Sequence, residues 1–274
     1  MSLSITDLVT ENQAKSHVTL REVIETHEEL RLEELTSGGP VELTNNISLW
    51  EKKEDIPEIL PEAQYVIIDT IYFSTTSLEA LNNGFDRLWL AETEEEVMKL
   101  SKDKSIAAAG ESGNDYELPE KFDFFNSPTS VQKAETDARE AVFTSYNGAK
   151  AAFWTAEAAQ GESKIILGST TNARAVAENL DKDKPVHIMS AGSREISSAE
   201  DHIAAYLISR YYNGNPCSDD EIEVISDLLE ITKFLMYDDI PEIRRKDIDN
   251  YVKKINSVNI APELDIENGE KYFE

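Results

Sequence analysis

The chain has 274 residues, 40% of them hydrophobic, enough for one large or two small domains with a real core. Asp and Glu total 54 against 26 Lys and Arg, a net charge of −28; this argues against a nucleic-acid partner, because neutralising phosphates takes clustered cations. The single cysteine, Cys217, excludes an intrachain disulfide and Cys-rich zinc sites, and no apolar run has the length to cross a bilayer, so no membrane partner is expected.

Residues 1–45 are acidic and polar. They carry a helix-like patch from Thr19 to Leu35, broken by Ser37-Gly38-Gly39-Pro40. They read as an N-terminal extension, and residues 46–274 as the main domain. Tyr65–Ile68 is an apolar, β-branched strand that delivers Asp69 at its end. A hydroxyl cluster follows, then a helix whose apolar period starts at Leu78 and Leu81; Thr76 and Glu79 have capping-box spacing. Arg87–Ala91 is a second strand. Thr93 and Glu96 cap a helix over Glu94–Ser101, and Ile106–Ala109 is a third strand, ending in Gly110-Glu111-Ser112-Gly113-Asn114. A loop leads to Phe122-Asp123-Phe124-Phe125-Asn126-Ser127-Pro128. Strand Ala141–Ser145 precedes Tyr146-Asn147-Gly148 and an Ala-rich helix from Ala149. Strand Lys164–Leu167 precedes Gly168-Ser169-Thr170-Thr171-Asn172 and a helix from Ala173. Strand Val186–Met189 precedes Ser190-Ala191-Gly192-Ser193 and a long helix, Ala199–Tyr212. Ser218 with Glu221 caps another helix to about Met236. The last third is mainly helical and ends in an extended segment, Val258–Pro262.

Alternation of strand and helix with short turns predicts an α/β fold. It is of three-layer α/β/α type, with a mainly parallel or mixed sheet and a helical C-terminal part. Ligands in such sheets gather beyond the carboxyl ends of the strands, where every polar turn named above lies. Common phosphate machinery is absent: the chain has neither GxxxxGK[ST] nor GxGxxG. Asp69 opens a run similar to the DxDx[TV] motif of haloacid-dehalogenase phosphatases, but the second carboxylate would fall at Ile71. His17, His27, His187 and His202 have no metal-ligand spacing, so a hard ion with oxygen ligands, Mg²⁺, suits the turns better than zinc. The basic trio Arg244-Arg245-Lys246 reads as a solvated helix face, and Cys217 as an incidental thiol.

Taken in order, DTIYFSTT, GESGN, FFNSP, TSYNG, GSTTNARAVA and SAGSREISSAED resemble the motifs of the 2-phosphosulfolactate phosphatase family, over roughly residues 60–265. The acidic composition and the FSTT variant are similar to a halophilic archaeal branch of it. The resemblance implies Mg²⁺-dependent hydrolysis of 2-phospho-3-sulfolactate to sulfolactate and phosphate, as in coenzyme M biosynthesis. Three positions depart from the family pattern: Tyr72 stands for an Arg in the first motif, Ser112 for an Arg in the second, and Ser190 for a Cys. Arg174 and Arg194 are the arginines that would compensate.

On this reading Asp69, Glu111 and Asp201 are the catalytic residues. Asp69, Glu111, Glu200 and Asp201 are the metal ligands, and Ser74, Thr75, Asn126, Asn147, Asn172, Arg174, Ser190 and Arg194 contact substrate. The bland alternatives are helix capping for Asp69, Asp201, Glu200 and the asparagines, and packing for Tyr72 and the Phe122, Phe124 and Phe125 group. The expected partner is a small phosphorylated organic acid, and a homodimer is an open expectation. The first residues lack a signal peptide's charged start and apolar core, so a cytoplasmic location is expected. The net charge suggests a salt-loving source, because salt screens self-repulsion. The competing functional class is a non-catalytic relative that binds an anionic metabolite; a salt-adapted scaffold is a third.

Overall fold

The computed structural model describes residues 39–44, 46–102, 105–111, 118–193, 196–234 and 242–274. The helix-like patch 19–35, Ser112, Arg194 and the helix end at Met236 lie outside the described residues.

In chain order the elements are β1 (Val41–Thr44), β2 (Ile47–Trp50), β3 (Gln64–Ile68), α1 (Phe73–Asn82), β4 (Arg87–Leu90), α2 (Glu94–Leu100), β5 (Ile106–Gly110), β6 (Phe124–Phe125) and α3 (Pro128–Val131). They continue with β7 (Glu140–Thr144), α4 (Gly148–Ala158), β8 (Lys164–Gly168), α5 (Ala173–Asn179), β9 (Val186–Ser190), α6 (Ala199–Tyr212), α7 (Asp219–Phe234), α8 (Glu242–Asp247), β10 (Leu264–Glu267) and β11 (Glu270–Phe273).

The strands form two mixed sheets rather than the single one expected. The first has order β1-β2-β9-β3-β8, and the second β10-β11-β4-β7-β5-β6. Within each, the strands that alternate with helices are parallel: β3 pairs with both β8 and β9, and β7 with both β4 and β5. Antiparallel hairpins, β1–β2 and β10–β11, close one edge of each sheet. β1 already pairs at Val41, inside the range expected to be an extension.

Strands β3, β5, β7 and β8 are buried along nearly their whole length because both faces are covered. One core holds Tyr65, Ile67 and Leu167 of the first sheet, Leu88, Leu90 and Phe143 of the second, and Phe73, Leu78, Ala149 and Ala152 of α1 and α4. A second core joins the other face of the first sheet to α5, α6 and α7, through Val66, Ile68, Ile166, Val176, Ala204, Leu207 and Leu229. A third, smaller one sets Val97 of α2 against Ala108 and Val142. Helices therefore flank the sheets, giving the three-layer α/β/α arrangement. Phe143 stacks edge-on to Phe73 with centroids 5.4 Å apart, and tilts against Phe124 at 6.1 Å. Among the described residues, no helix is long and apolar enough to cross a membrane.

Candidate active site at the carboxyl rim of both sheets

Asp69 leaves β3 buried, only 7% exposed. Its N–H donates to Ser74 Oγ (2.9 Å), and the Ser74 N–H donates to the Asp69 carbonyl (2.8 Å). The Thr75 hydroxyl donates to the Thr70 carbonyl (2.7 Å) and meets Ser169 Oγ at 2.8 Å. These hydroxyls shape the turn from inside the first turn of α1. The helix starts at Phe73, earlier than its apolar period suggests, and is not capped by Thr76; its cap residue, Tyr72, makes no side-chain cap bond. Asp69 Oδ2 accepts the Gly148 N–H at 2.8 Å. A Cβ on Gly148 would fall 2.6 Å from Phe73 Cβ, so only glycine lets the start of α4 come this close to Asp69. The favourable end of an eleven-residue helix thus faces a carboxylate.

Asp201 lies in the first turn of α6, where Ser198-x-x-Asp201 has capping-box spacing. That box does not form: Ser198 makes no side-chain cap bond. Instead Asp201 reaches the strand ends. Oδ1 accepts the Thr70 N–H (2.8 Å), and Oδ2 accepts the Ser190 hydroxyl (3.0 Å). It is 1% exposed. Burial, first, and then the negative charges of Asp69 and Glu200 push its carboxyl well above the usual range, against the two hydrogen bonds it accepts. Glu200 is buried beside it, and its carbonyl accepts the Thr70 hydroxyl at 3.4 Å.

The second sheet contributes from the other side. Gly110 ends β5 at φ +120, where an added Cβ would fall 2.8 Å from Thr144 N; this close approach sets Glu111 beside the end of β7. Glu111 Oε1 accepts the Tyr146 N–H at 3.2 Å, two residues before the Gly148 that holds Asp69. Glu111, Thr93, Thr144, Ser145, Tyr146 and Lys150 line an open recess of about 150 Å³. Asn147 does not cap α4; its Oδ1 accepts from Lys53 Nζ at 3.0 Å. Asn126 is buried next to β6, its N–H bonded to the Gly110 carbonyl at 3.2 Å.

Not every expected residue joins this group. Asn172 has both amide hydrogens engaged, by the carbonyls of Leu167 and Ile260 (3.0 Å each), and its Oδ1 accepts the Ser169 N–H at 2.8 Å. It braces the chain after β8. Arg174 is exposed, with its guanidinium over Tyr211 at 5.3 Å. Tyr211 is ten residues beyond Asp201 on α6, roughly 15 Å along the helix.

Two cations absent from the expected set are present. Lys53, 7% exposed, follows β2, donates to Asn147 and Glu54, and bonds through its backbone N–H to the Ala191 carbonyl (3.3 Å). No local pattern marks it, because Lys52-Lys53-Glu54-Asp55 has the composition of a surface turn. Arg244 is 3% exposed, whereas Arg245 and Lys246 of the same trio are exposed. The solvated-face expectation fails for Arg244 alone. It shares a buried stripe with Asp247 and Ile248, the i, i+3, i+4 spacing that could have flagged it.

Among the described residues, no three or more His, Cys, Asp or Glu side chains form a ready-made metal cage. The donor set is nonetheless all-oxygen and anionic, and burial together with the charges of Asp69 and Glu200 raises the Asp201 carboxyl. Mg²⁺ keeps several waters and is held by one or two carboxylates together with a substrate phosphate. The Asp69–Asp201 pair fits that demand.

Buried carboxylates at the carboxyl rim of parallel strands, beside helix starts, place the candidate site of this α/β protein where such sheets gather ligands. The chain belongs to the 2-phosphosulpholactate phosphatase family, whose model matches residues 50–265, and this membership makes it a phosphatase. It is 29% identical over 211 residues to a probable 2-phosphosulfolactate phosphatase of Clostridium novyi, covering 76% of this chain and 82% of that one. It is 28% identical over 199 residues to one of Caldicellulosiruptor saccharolyticus (70% and 77%), and 28% over 219 residues to one of Clostridium botulinum (78% and 85%).

Proposed function

We propose that the chain is a Mg²⁺-dependent phosphomonoester hydrolase acting on a small phosphorylated organic acid. On this reading 2-phospho-3-sulfolactate, or a close variant of it, becomes sulfolactate and phosphate. The observation that carries the reading is the grouping of Asp69, Glu200 and Asp201 at the strand ends, where burial, first, and then the charges of Asp69 and Glu200 raise the Asp201 carboxyl. A bound cation would offset those charges.

Asp69 and Asp201 are the residues that would hold the ion, each fixed by a backbone N–H, from Gly148 and Thr70 respectively. When bound, Mg²⁺ supplies charge neutralisation on the phosphoryl oxygens and a more acidic water. Glu111, held by the Tyr146 N–H and facing the recess, is the base for the attacking water. The water oxygen bonds to phosphorus as the ester P–O bond breaks, Glu111 takes the water's proton, and the freed alkoxide takes a proton from solvent as it leaves. Direct water attack is the simpler path because it needs no covalent intermediate on a side chain.

The test is phosphate release from a panel of phosphorylated 2-hydroxy acids, with Mg²⁺ or with EDTA. Release that requires Mg²⁺ is expected. Absence of release from every substrate, with stabilisation by the same ligands, would replace the hydrolase with a metabolite-binding relative.

A further inference from the structure

We propose that Lys150 is a catalytic residue of this site, its ammonium receiving a phosphoryl oxygen of the substrate in the recess beside Glu111. The inference rests on the phosphatase reading above and names the cation that the chain itself offers to the phosphoryl group.

A chain of net charge −28 repels a phosphate ester. Docking one takes a cation that is open to solvent and not already engaged in an ion pair. Lys150, half-buried in the first turn of α4, lines the recess together with Glu92, Glu94, Glu111 and Thr144. Three carboxylates share that recess, yet Lys150 makes no ion pair and no side-chain hydrogen bond among the described residues. Its Nζ lies 5.8 Å from the centroid of the Tyr146 ring, a contact that uses none of the three ammonium N–H groups. Glu111, by contrast, already accepts the Tyr146 N–H and has Arg244 Nη2 3.7 Å from its Oε2. Glu94 is exposed, so solvent screens its charge.

The backbone fixes where this lysine stands. At the start of α4 the Gly148 N–H donates to Asp69 Oδ2 and the Ala149 N–H to Ser145 Oγ, 2.8 Å each. The turn that carries Lys150 is thereby tied both to a carboxylate that would hold the ion and to the end of β7. Thr144, at that end, is 4% exposed and lines the recess, and its hydroxyl makes no hydrogen bond among the described residues. The recess therefore offers a second donor. It measures about 150 Å³, where a single water needs only roughly 10–15 Å³ of such space, so a five-atom oxyanion fits. An ammonium is a compact charge with three donors on a flexible stem, suited to follow a phosphoryl oxygen. As the water held by Glu111 attacks, negative charge is spread over the equatorial oxygens, and Lys150 neutralises one of them.

The experiment uses the full chain, Lys150→Met and Lys150→Arg, with Mg²⁺ present. It compares kcat/KM for 2-phosphosulfolactate and for isopropyl phosphate, which lacks the acid group, and the calorimetric dissociation constant of inorganic phosphate. In Lys150→Met both kcat/KM values are expected to fall by the same factor, roughly 10- to 100-fold, the size of one charge-assisted hydrogen bond. Phosphate should bind more weakly by a similar factor. The melting temperature should not fall, because the ammonium holds no other element in place, and Lys150→Arg should recover part of the loss. Three results overturn the proposal: unchanged values; a loss confined to 2-phosphosulfolactate with phosphate binding unchanged, which marks an acid-group contact; or a parallel loss with a lower melting temperature and no recovery in Lys150→Arg, which marks a structural lysine. If the unmodified chain hydrolyses neither compound, the phosphatase reading fails by itself. Phosphate binding then decides: binding weakened at least tenfold in Lys150→Met supports the assignment, and equal binding, or none by the unmodified chain, overturns it.

Discussion

Asp201 shows how a side chain is claimed by tertiary partners. Locally it could cap its own helix, and an isolated α6 would use it so. In the folded chain it bonds to Thr70 and Ser190 instead and joins Asp69 and Glu200 in a buried group. The arrangement has a cost with a definite pH dependence. In the unfolded chain an aspartate ionises near about pH 3.9; in the folded chain burial and its neighbours raise that value. Folding therefore favours the protonated form, so this contribution to stability is complete below the unfolded value and is lost as pH rises through the folded one. Asp201→Asn should accordingly raise the melting temperature at pH 8 in EDTA, by an amount worth ~1–2 kcal/mol. The gain should shrink as pH falls toward 4. A variant less stable than the parent by the same margin at both pH values would show that repulsion is not what the site stores. The spacing of Arg244 with Asp247 and Ile248 could flag its burial, but the contacts of Lys53 and Arg244 are not legible in the sequence, because both depend on approach from distant segments: Lys53 lies 94 positions from Asn147, and Arg244 118 from Asn126.

At the scale of elements the sequence says most where local chemistry decides. Helix α6 has the bounds its apolar period and Ser198 suggest, and β3, β7, β8 and β9 fall within a residue of their β-branched runs. Ser218 and Glu221 form the reciprocal box expected of them, the Ser218 N–H to Glu221 Oε2 at 2.8 Å and the Glu221 N–H to Ser218 Oγ at 3.3 Å. Thr93 caps α2 as expected, but the Glu96 carboxylate reaches one residue further, to the Glu92 N–H at 2.8 Å. What was missed was the last hairpin. Asn268 and Gly269 both take positive φ, 53° and 89°, and Asn-Gly between alternating residues is a strong hairpin signal. β11 then adds to the edge of β4, with Tyr272 against Trp89, centroids 4.7 Å apart. The division into two sheets was not legible, since strand order depends on which edges meet and not on any local period. That same division positions the candidate site: Asp69 and Asp201 come from the first rim, Glu111 and Gly148 from the second, and the Gly148–Asp69 bond joins the two rims.

For the whole molecule, a net charge of −28 sets the dominant long-range force. Visible ion pairs such as Arg139–Asp86 (2.6 Å) and Arg87–Glu267 (2.8 Å) are exposed or nearly so, and such pairs contribute little. Added salt shortens the reach of like-charge repulsion to roughly 3 Å at molar strength. The melting temperature should therefore rise steadily with KCl from 0.1 to 2 M; no change would mean that repulsion is already balanced within the fold. The account as a whole turns on the rim carboxylates performing chemistry rather than shaping loops. Its most direct measurement is Mg²⁺-dependent phosphate release from 2-phosphosulfolactate by the parent chain and by Asp69→Asn, which can still accept the Gly148 N–H through its amide oxygen. The expected result is a loss of two or more orders of magnitude in kcat, roughly 3 kcal/mol of transition-state stabilisation, with a melting temperature no lower than the parent's. An Asp69→Asn protein that releases phosphate within threefold of the parent rate would contradict the account.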